Sequence, residues 1–193
     1  MRRYTPWRGL RYDASRWRGV RLLLLGESHY FDENENATIR WTRNYIEGGP
    51  GSFWTRVMQI VTGKHHSEID RVAFWNDVGF YNYVQESVGE GARIRPTTQM
   101  WENAQTPFWQ TLRELTPTHL LVLGKGLWTN LPSEGASGPD IHVGREARET
   151  WVYSIDTHRV LATWVYHPSS VRGSSAERSH PYVREFLRLS NRE

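Results

Sequence analysis

Two short apolar runs constrain this chain more than any other feature. Leu22-Leu23-Leu24-Leu25 and Leu120-Leu121-Val122-Leu123 are each unbroken by a polar residue and each end at a glycine, Gly26 and Gly124. A strand with one wet face alternates apolar and polar side chains. An unbroken run needs cover on both faces, the situation of a central parallel strand between helical layers. Neither run approaches membrane-spanning length. With 193 residues the chain suits one domain with a sizeable core. It contains no cysteine, which excludes disulfides, thiolate metal sites, cysteine-held iron–sulfur clusters and thiol nucleophiles.

The segments between the runs alternate in type. The spacing predicts a helix over 37–47, stopped by Gly48-Gly49-Pro50-Gly51. A second helix carries Phe53, Trp54, Val57, Met58 and Val61, with Ser52 as cap and Gly63 as stop. The β-branched and aromatic run 78–84 predicts a strand. Thr106-Pro107 reads as a cap followed by proline at the first helical position, with Phe108, Leu112 and Leu115 inward and Pro117 at the end. The stretch 131–144 reads as a loop. Strands are expected over 151–155 and 160–165, joined by a turn at Asp156-Thr157-His158, and a last helix over 181–189. Alternating strands and helices give an α/β class, three-layered, with a mainly parallel sheet. Working residues then lie beyond the strand carboxyl ends.

The charge is unevenly placed. Of 24 basic residues 22 are arginine, and seven fall in the first 21 positions against the single acid Asp13. Tyr4, Trp7, Tyr12 and Trp17 lie between them. Residues 1–20 therefore read as a basic aromatic arm ahead of a domain over 21–193. Arginine forks suit phosphate, and interleaved aromatic rings suit bases. The same pattern also describes rings packed on the body with guanidinium groups in water. The N-terminus lacks the apolar segment of a secretory signal, so a cytoplasmic location is expected.

Three strand ends carry chemistry. The first run leads into Gly26-Glu27-Ser28-His29-Tyr30, the second strand contains Asn82, and the last leads into His167-Pro168-Ser169-Ser170. In this order and spacing the chain resembles the uracil-DNA glycosylase superfamily. Members carry a Gly-Gln-Asp-Pro-Tyr or Gly-Glu-Ala-Pro-Gly type motif after strand one, an Asn ending a middle strand, and His-Pro-Ser after the last strand. Ser28 stands where one branch has its water-positioning Asp. Glu27 matches a second branch, whose four cluster-binding cysteines this chain lacks.

The resemblance implies a three-layer α/β/α sandwich around a central, mainly parallel four-stranded sheet. It implies a DNA glycosylase acting on flipped-out uracil or another damaged or modified base, such as those of phage DNA. The expected partner is DNA, single- or double-stranded, with no membrane, a monomeric state and no cofactor or metal. Glu27, His29 and His167 are the expected catalytic residues. Glu27 would face the sugar cation, His29 would hold water or act as a base, and His167 would donate to the leaving base. Asn82 would read the base edge, with Tyr30, Phe31 or Phe53 stacking on it. Ser28, Ser169, Ser170, Val171, Arg172 and Arg95 are expected on DNA, with Val171 or Arg172 as a wedge.

Other groupings point elsewhere. His65-His66 with Glu68 and Asp70 reads as a polar surface turn rather than a metal site. Gly124-Lys125-Gly126 lacks phosphate-loop spacing. Two rival functions stand beside the glycosylase. One is a DNA-binding module of the same fold without catalysis. The other is a hydrolase using Ser28 with Asp156 and His158, although no nucleophile elbow is present.

Overall fold

The structure is a computed structural model that describes residues 2–17, 19–29, 32–89, 94–170 and 176–189. In chain order its elements are β1 (Trp7–Arg8), β2 (Leu22–Gly26), α1 (Ala37–Ile46), α2 (Ser52–Thr62), α3 (Arg71–Asp77), β3 (Val78–Asn82), α4 (Thr98–Asn103) and α5 (Gln105–Leu115). There follow β4 (His119–Leu123), α6 (Lys125–Trp128), β5 (Ala136–Ser137), β6 (Ile141–Val143), β7 (Glu146–Arg148), β8 (Trp151–Ile155), β9 (His158–Val165) and α7 (Ala176–Phe186).

Among the described residues seven strands form one sheet in the order β1-β3-β2-β4-β9-β8-β5, and β6 and β7 pair separately. The four inner strands β3, β2, β4 and β9 are mutually parallel. The expected four-stranded sheet is thus the parallel centre of a wider one, whose added strands β1, β8 and β5 all pair antiparallel. Every residue of β2 and β4 is buried. Leu22 and Leu24 face a core built with Tyr45, Val57, Ile60, Trp75, Val183 and Phe186. Leu23 and Leu25 face a second core with Phe108, Leu112, Leu115 and Leu127. Helices α1, α2, α3 and α7 therefore cover one face and α4, α5 and α6 the other, which gives three layers. Each fully buried leucine is worth about 1.5–3 kcal/mol relative to exposure.

Several local expectations are corrected. The helix predicted from Thr106 starts at Gln105, directly after the unforeseen α4, so Pro107 is its third residue. Proline costs nothing there, because the first turn's N–H groups have no helical partner anyway. Helix α2 starts at Ser52 with Gly51 as its cap, and Gly63 ends it in the left-handed conformation. Helix α7 begins at Ala176, so Pro181 lies inside it, held by the buried Tyr182, Val183 and Phe186. The loop over 131–144 contains β5 and β6. Strands of two or three residues take their stability from distant partners and leave no periodic trace in sequence.

The first 20 residues, expected as an arm, are laid against the body where described. Trp7 pairs with Phe80 in β3 and donates its indole N–H to Trp75 O at 2.8 Å. Tyr4 and Tyr12 are fully buried. The backbone N–H groups of Arg3 and Tyr4 both donate to Gln85 Oε1 (3.0 and 2.9 Å). Arg11 and Arg16 converge on the buried carboxylate of Asp77. Much of the expected basic surface is thereby spent on internal ion pairs. No described helix is long and apolar enough to cross a membrane.

Candidate functional site

Because β3, β2, β4 and β9 are parallel, their carboxyl ends share one rim. Strand order reverses about β2: the chain goes first to β3 on one side, then crosses to β4 on the other. A crevice opens at such a point in α/β sheets. Here it is a cavity of about 360 Å³ lined by Gly26, Glu27, Ser28, His29, Asn82, His167 and Ser169 from the strand ends. Thr38 and Trp41 from α1, Phe53 and Trp54 from α2, and Phe80 complete its wall.

The first motif is held straight by backbone bonds. Tyr83 N donates to Gly26 O, Val84 N to Glu27 O (both 2.9 Å), and Val88 N to His29 O (3.2 Å). Register pairs Gly26 with Asn82. The Asn82 amide lies so close over Gly26 that a Cβ there would sit 2.1 Å from Asn82 Oδ1. Only glycine fits that position.

His29 and Asn82 form one unit. Asn82 Nδ2 donates to His29 Nε2 at 3.1 Å, and Thr38 Oγ1 lies 2.9 Å from the same nitrogen. The Tyr4 ring packs on the imidazole at 4.3 Å between centroids. Burial lowers the His29 pKa to about 4, against a smaller opposing pull from Asp32. The ring is therefore neutral at pH 7, with its Nε2 lone pair turned to Asn82. His29 was expected to hold the water or to act as a base near neutral pH. The lowered pKa makes it a weak base, and its Nε2 accepts from the Asn82 amide.

His167 follows β9 and carries the opposite polarity. Its Nδ1 accepts from Ser169 N at 3.1 Å, so in the neutral ring Nε2 holds the proton. Burial, aided by the nearby positive charge of Arg95, lowers its pKa. The His167–Ser170 turn is closed by Ser170 N donating to His167 O (2.8 Å), and Arg56 Nη1 ties it to α2 through Pro168 O (3.0 Å). The Phe53 ring stands 5.7 Å from His167 and 6.0 Å from Phe80, a flat apolar wall beside the imidazole.

Glu27 supplies the negative group. Its side chain is only 11% exposed, and Arg95 Nη1 donates to both of its oxygens, at 2.8 and 3.1 Å. Arg95, expected on DNA, is thus engaged across the cavity mouth. Two polar atoms in the wall, Ser28 Oγ and Trp54 Nε1, have no hydrogen-bond partner among the described residues. Trp41 Nε1 by contrast is committed to Asp32 Oδ2 at 2.7 Å.

Of the expected site residues, Glu27, Ser28, His29, Phe53, Asn82, His167 and Ser169 line this one cavity. Arg95 pairs with Glu27, and Ser170 closes the turn beside it. Tyr30, Phe31, Val171 and Arg172 lie outside the described residues. Thr38, Trp41, Trp54 and Phe80 were not foreseen; Trp54 read only as part of the helix's apolar stripe. No protein-family model matches the chain, and no curated protein does.

The other groupings are resolved in place. His65 caps a short 3-10 turn whose Glu68 accepts from the His65 backbone N–H. Among the described residues no cluster of metal-ligating side chains forms. Asp156, in the turn before β9, and His158, its first residue, lie at the end of the sheet opposite Ser28, so these three cannot form a hydrolytic triad.

Proposed function

We propose that the chain is a DNA N-glycosylase of the uracil-DNA glycosylase type. Its substrate would be a flipped-out uracil or another damaged or modified base. The observation that carries the reading is the convergence of Glu27, Asn82, His167 and Phe53 on one base-sized or larger cavity at the strand-end rim.

The chemistry follows from the residues. Heterolysis of the C1′–N bond leaves the electron pair on the base and positive charge on the sugar. Water then adds at C1′ and loses a proton. His167 Nε2–H is a preformed donor for the anionic base and needs no added proton, since the ring is neutral. Such a donor in a partly dry site is worth about 10²–10³ in rate. The Glu27 carboxylate stabilises the sugar cation or takes the water's proton. The Asn82 amide, fixed by His29, reads the polar edge of the base. Phe53 stacks on its face. Extrusion from a duplex, or use of a single strand, must come first.

Oligonucleotides bearing uracil, hypoxanthine, xanthine or hypermodified cytosine test the reading. The expected result is an abasic product from at least one, reduced at least a hundredfold by Glu27→Gln and by His167→Ala. No abasic product from any of them overturns it. Salt-sensitive DNA binding without cleavage would then favour a binding module, a possibility supported by the pairing of Glu27 with Arg95 and by Ser28.

A further inference from the structure

We propose that Arg95 is a specificity-determining residue that exchanges Glu27 for a backbone phosphate, so that the site works on a base in a polynucleotide chain and not on a free nucleoside. This rests on the glycosylase reading above.

The site faces a conflict. It needs a carboxylate beside the sugar, yet its substrate is a polyanion. An unpaired Glu27 at the mouth would repel every incoming phosphate. In the structure Glu27 is instead neutralised by both of its bonds to Arg95 Nη1. The two partners differ in setting. Glu27 is nearly buried in the cavity wall, while the Arg95 side chain is 73% exposed. The guanidinium can therefore leave towards solvent, and the carboxylate cannot follow.

Its place at the rim fits a phosphate ligand. Arg95 Nη1 lies 3.9 Å from the Cβ position of Gly126, just beyond β4, while Glu27 stands beyond β2. Arg95 is also close enough to His167, beyond β9, for its charge to act on that ring. A base stacked on Phe53 would put its sugar towards Glu27 and its flanking phosphates near Arg95. Arg95 holds Glu27 through Nη1 alone and not through its two-nitrogen fork, and arginine binds phosphate as it binds carboxylate, so a phosphate can compete for it. A phosphate that draws Arg95 off leaves Glu27 charged and unpaired only after the substrate has docked. A nucleoside has no phosphate and leaves the pair closed.

The test follows the Glu27 side-chain carboxyl resonance in ¹³C-labelled protein and measures excision in parallel. A short oligonucleotide lacking any target base is titrated in, and the matching nucleoside serves as control. The oligonucleotide is expected to move the Glu27 resonance towards its position in Arg95→Gln, and the nucleoside to leave it in place. In activity assays Arg95→Gln is expected to cut the preference for an oligonucleotide target over the free nucleoside at least tenfold. The inference is overturned if bound oligonucleotide leaves the Glu27 resonance unmoved, if no oligonucleotide binds, or if Arg95→Gln keeps the parent's preference. A resonance that moves with no abasic product overturns the glycosylase reading and leaves the exchange standing. Excision with an unmoved resonance does the reverse.

Discussion

Acid should destabilise this protein through two buried histidines. His29 lies beneath the cavity and His119 opens β4; both are buried, and burial lowers each pKa from 6.5 to about 4. His119 lies between Thr118 Oγ1 (2.9 Å) and Leu189 O (3.2 Å); burial outweighs the opposing pull of its backbone hydrogen bonds. The unfolded chain takes up a proton at each near pH 6.5, whereas the folded chain resists until about pH 4. Stability present above pH 6.5 is therefore lost as pH falls through this window. From pH 7.5 to pH 5.0 the linkage integral gives about 2 kcal/mol per histidine, about 4 kcal/mol together. A domain with about 5–15 kcal/mol in total loses a large share of it. His167 shifts in the same direction and adds to the fall, equally in every variant that retains it. Asp32, lowered below the usual carboxylate range, acts only at more acid pH. Urea unfolding followed by tryptophan fluorescence at the two pH values measures the loss. His119→Gln keeps an amide N–H for Leu189 O and cannot titrate. It should shrink the pH-dependent loss by about 2 kcal/mol, and His29→Gln should do the same independently, since the sites are separate. A single variant that loses as much stability as the parent would refute the assignment.

Gly26→Ala drives a methyl into Asn82 Oδ1 and should cut excision at least tenfold, whereas Gly126→Ala, with its nearest neighbour at 3.9 Å, should be tolerated; parallel kinetics on one substrate decide. Asp77→Asn strips two arginines of their buried acceptor and should cost about 1–3 kcal/mol in urea unfolding, less than a fully buried pair because both arginines are half exposed. Phe53→Ala should raise KM for the target oligonucleotide by about tenfold or more, from loss of about 1–3 kcal/mol of stacking, with a smaller effect on kcat.

The parts of the fold that could be read from the chain were those with a self-contained signature. β2 and β4 are legible because burial on both faces keeps 22–25 and 120–123 unbroken apolar runs. Once they are parallel, the position of Glu27, His29, Asn82 and His167 at one rim follows from strand direction alone. What stayed hidden depends on partners distant in sequence. β1 and β5 have two residues each and exist through Phe80, Gly79, Val152 and Trp151. Trp41 and Trp54 reach the cavity only because α1 and α2 pack over the rim, which periodicity cannot indicate. The Glu27–Arg95 pair joins residues 68 apart and has no local signal. The neutral state of His29 depends on Tyr4, Thr38 and Asn82 arriving together.

The edge formed by β1 has a consequence for how the molecule is made. Tyr4 leans on His29, and its hydroxyl donates to Asp32 O at 2.8 Å. The partners that dock this stretch, Phe80 and Gln85, leave the ribosome long after it does. Residues 4–8 thus find their seats only once Phe80 and Gln85 are in place, and the packing on His29 is unfinished until they do. This stretch docks on a sheet edge that residues far along the chain must first build. Deleting residues 2–8 would strip His29 of the Tyr4 ring and so disturb the cavity wall without touching a lining residue.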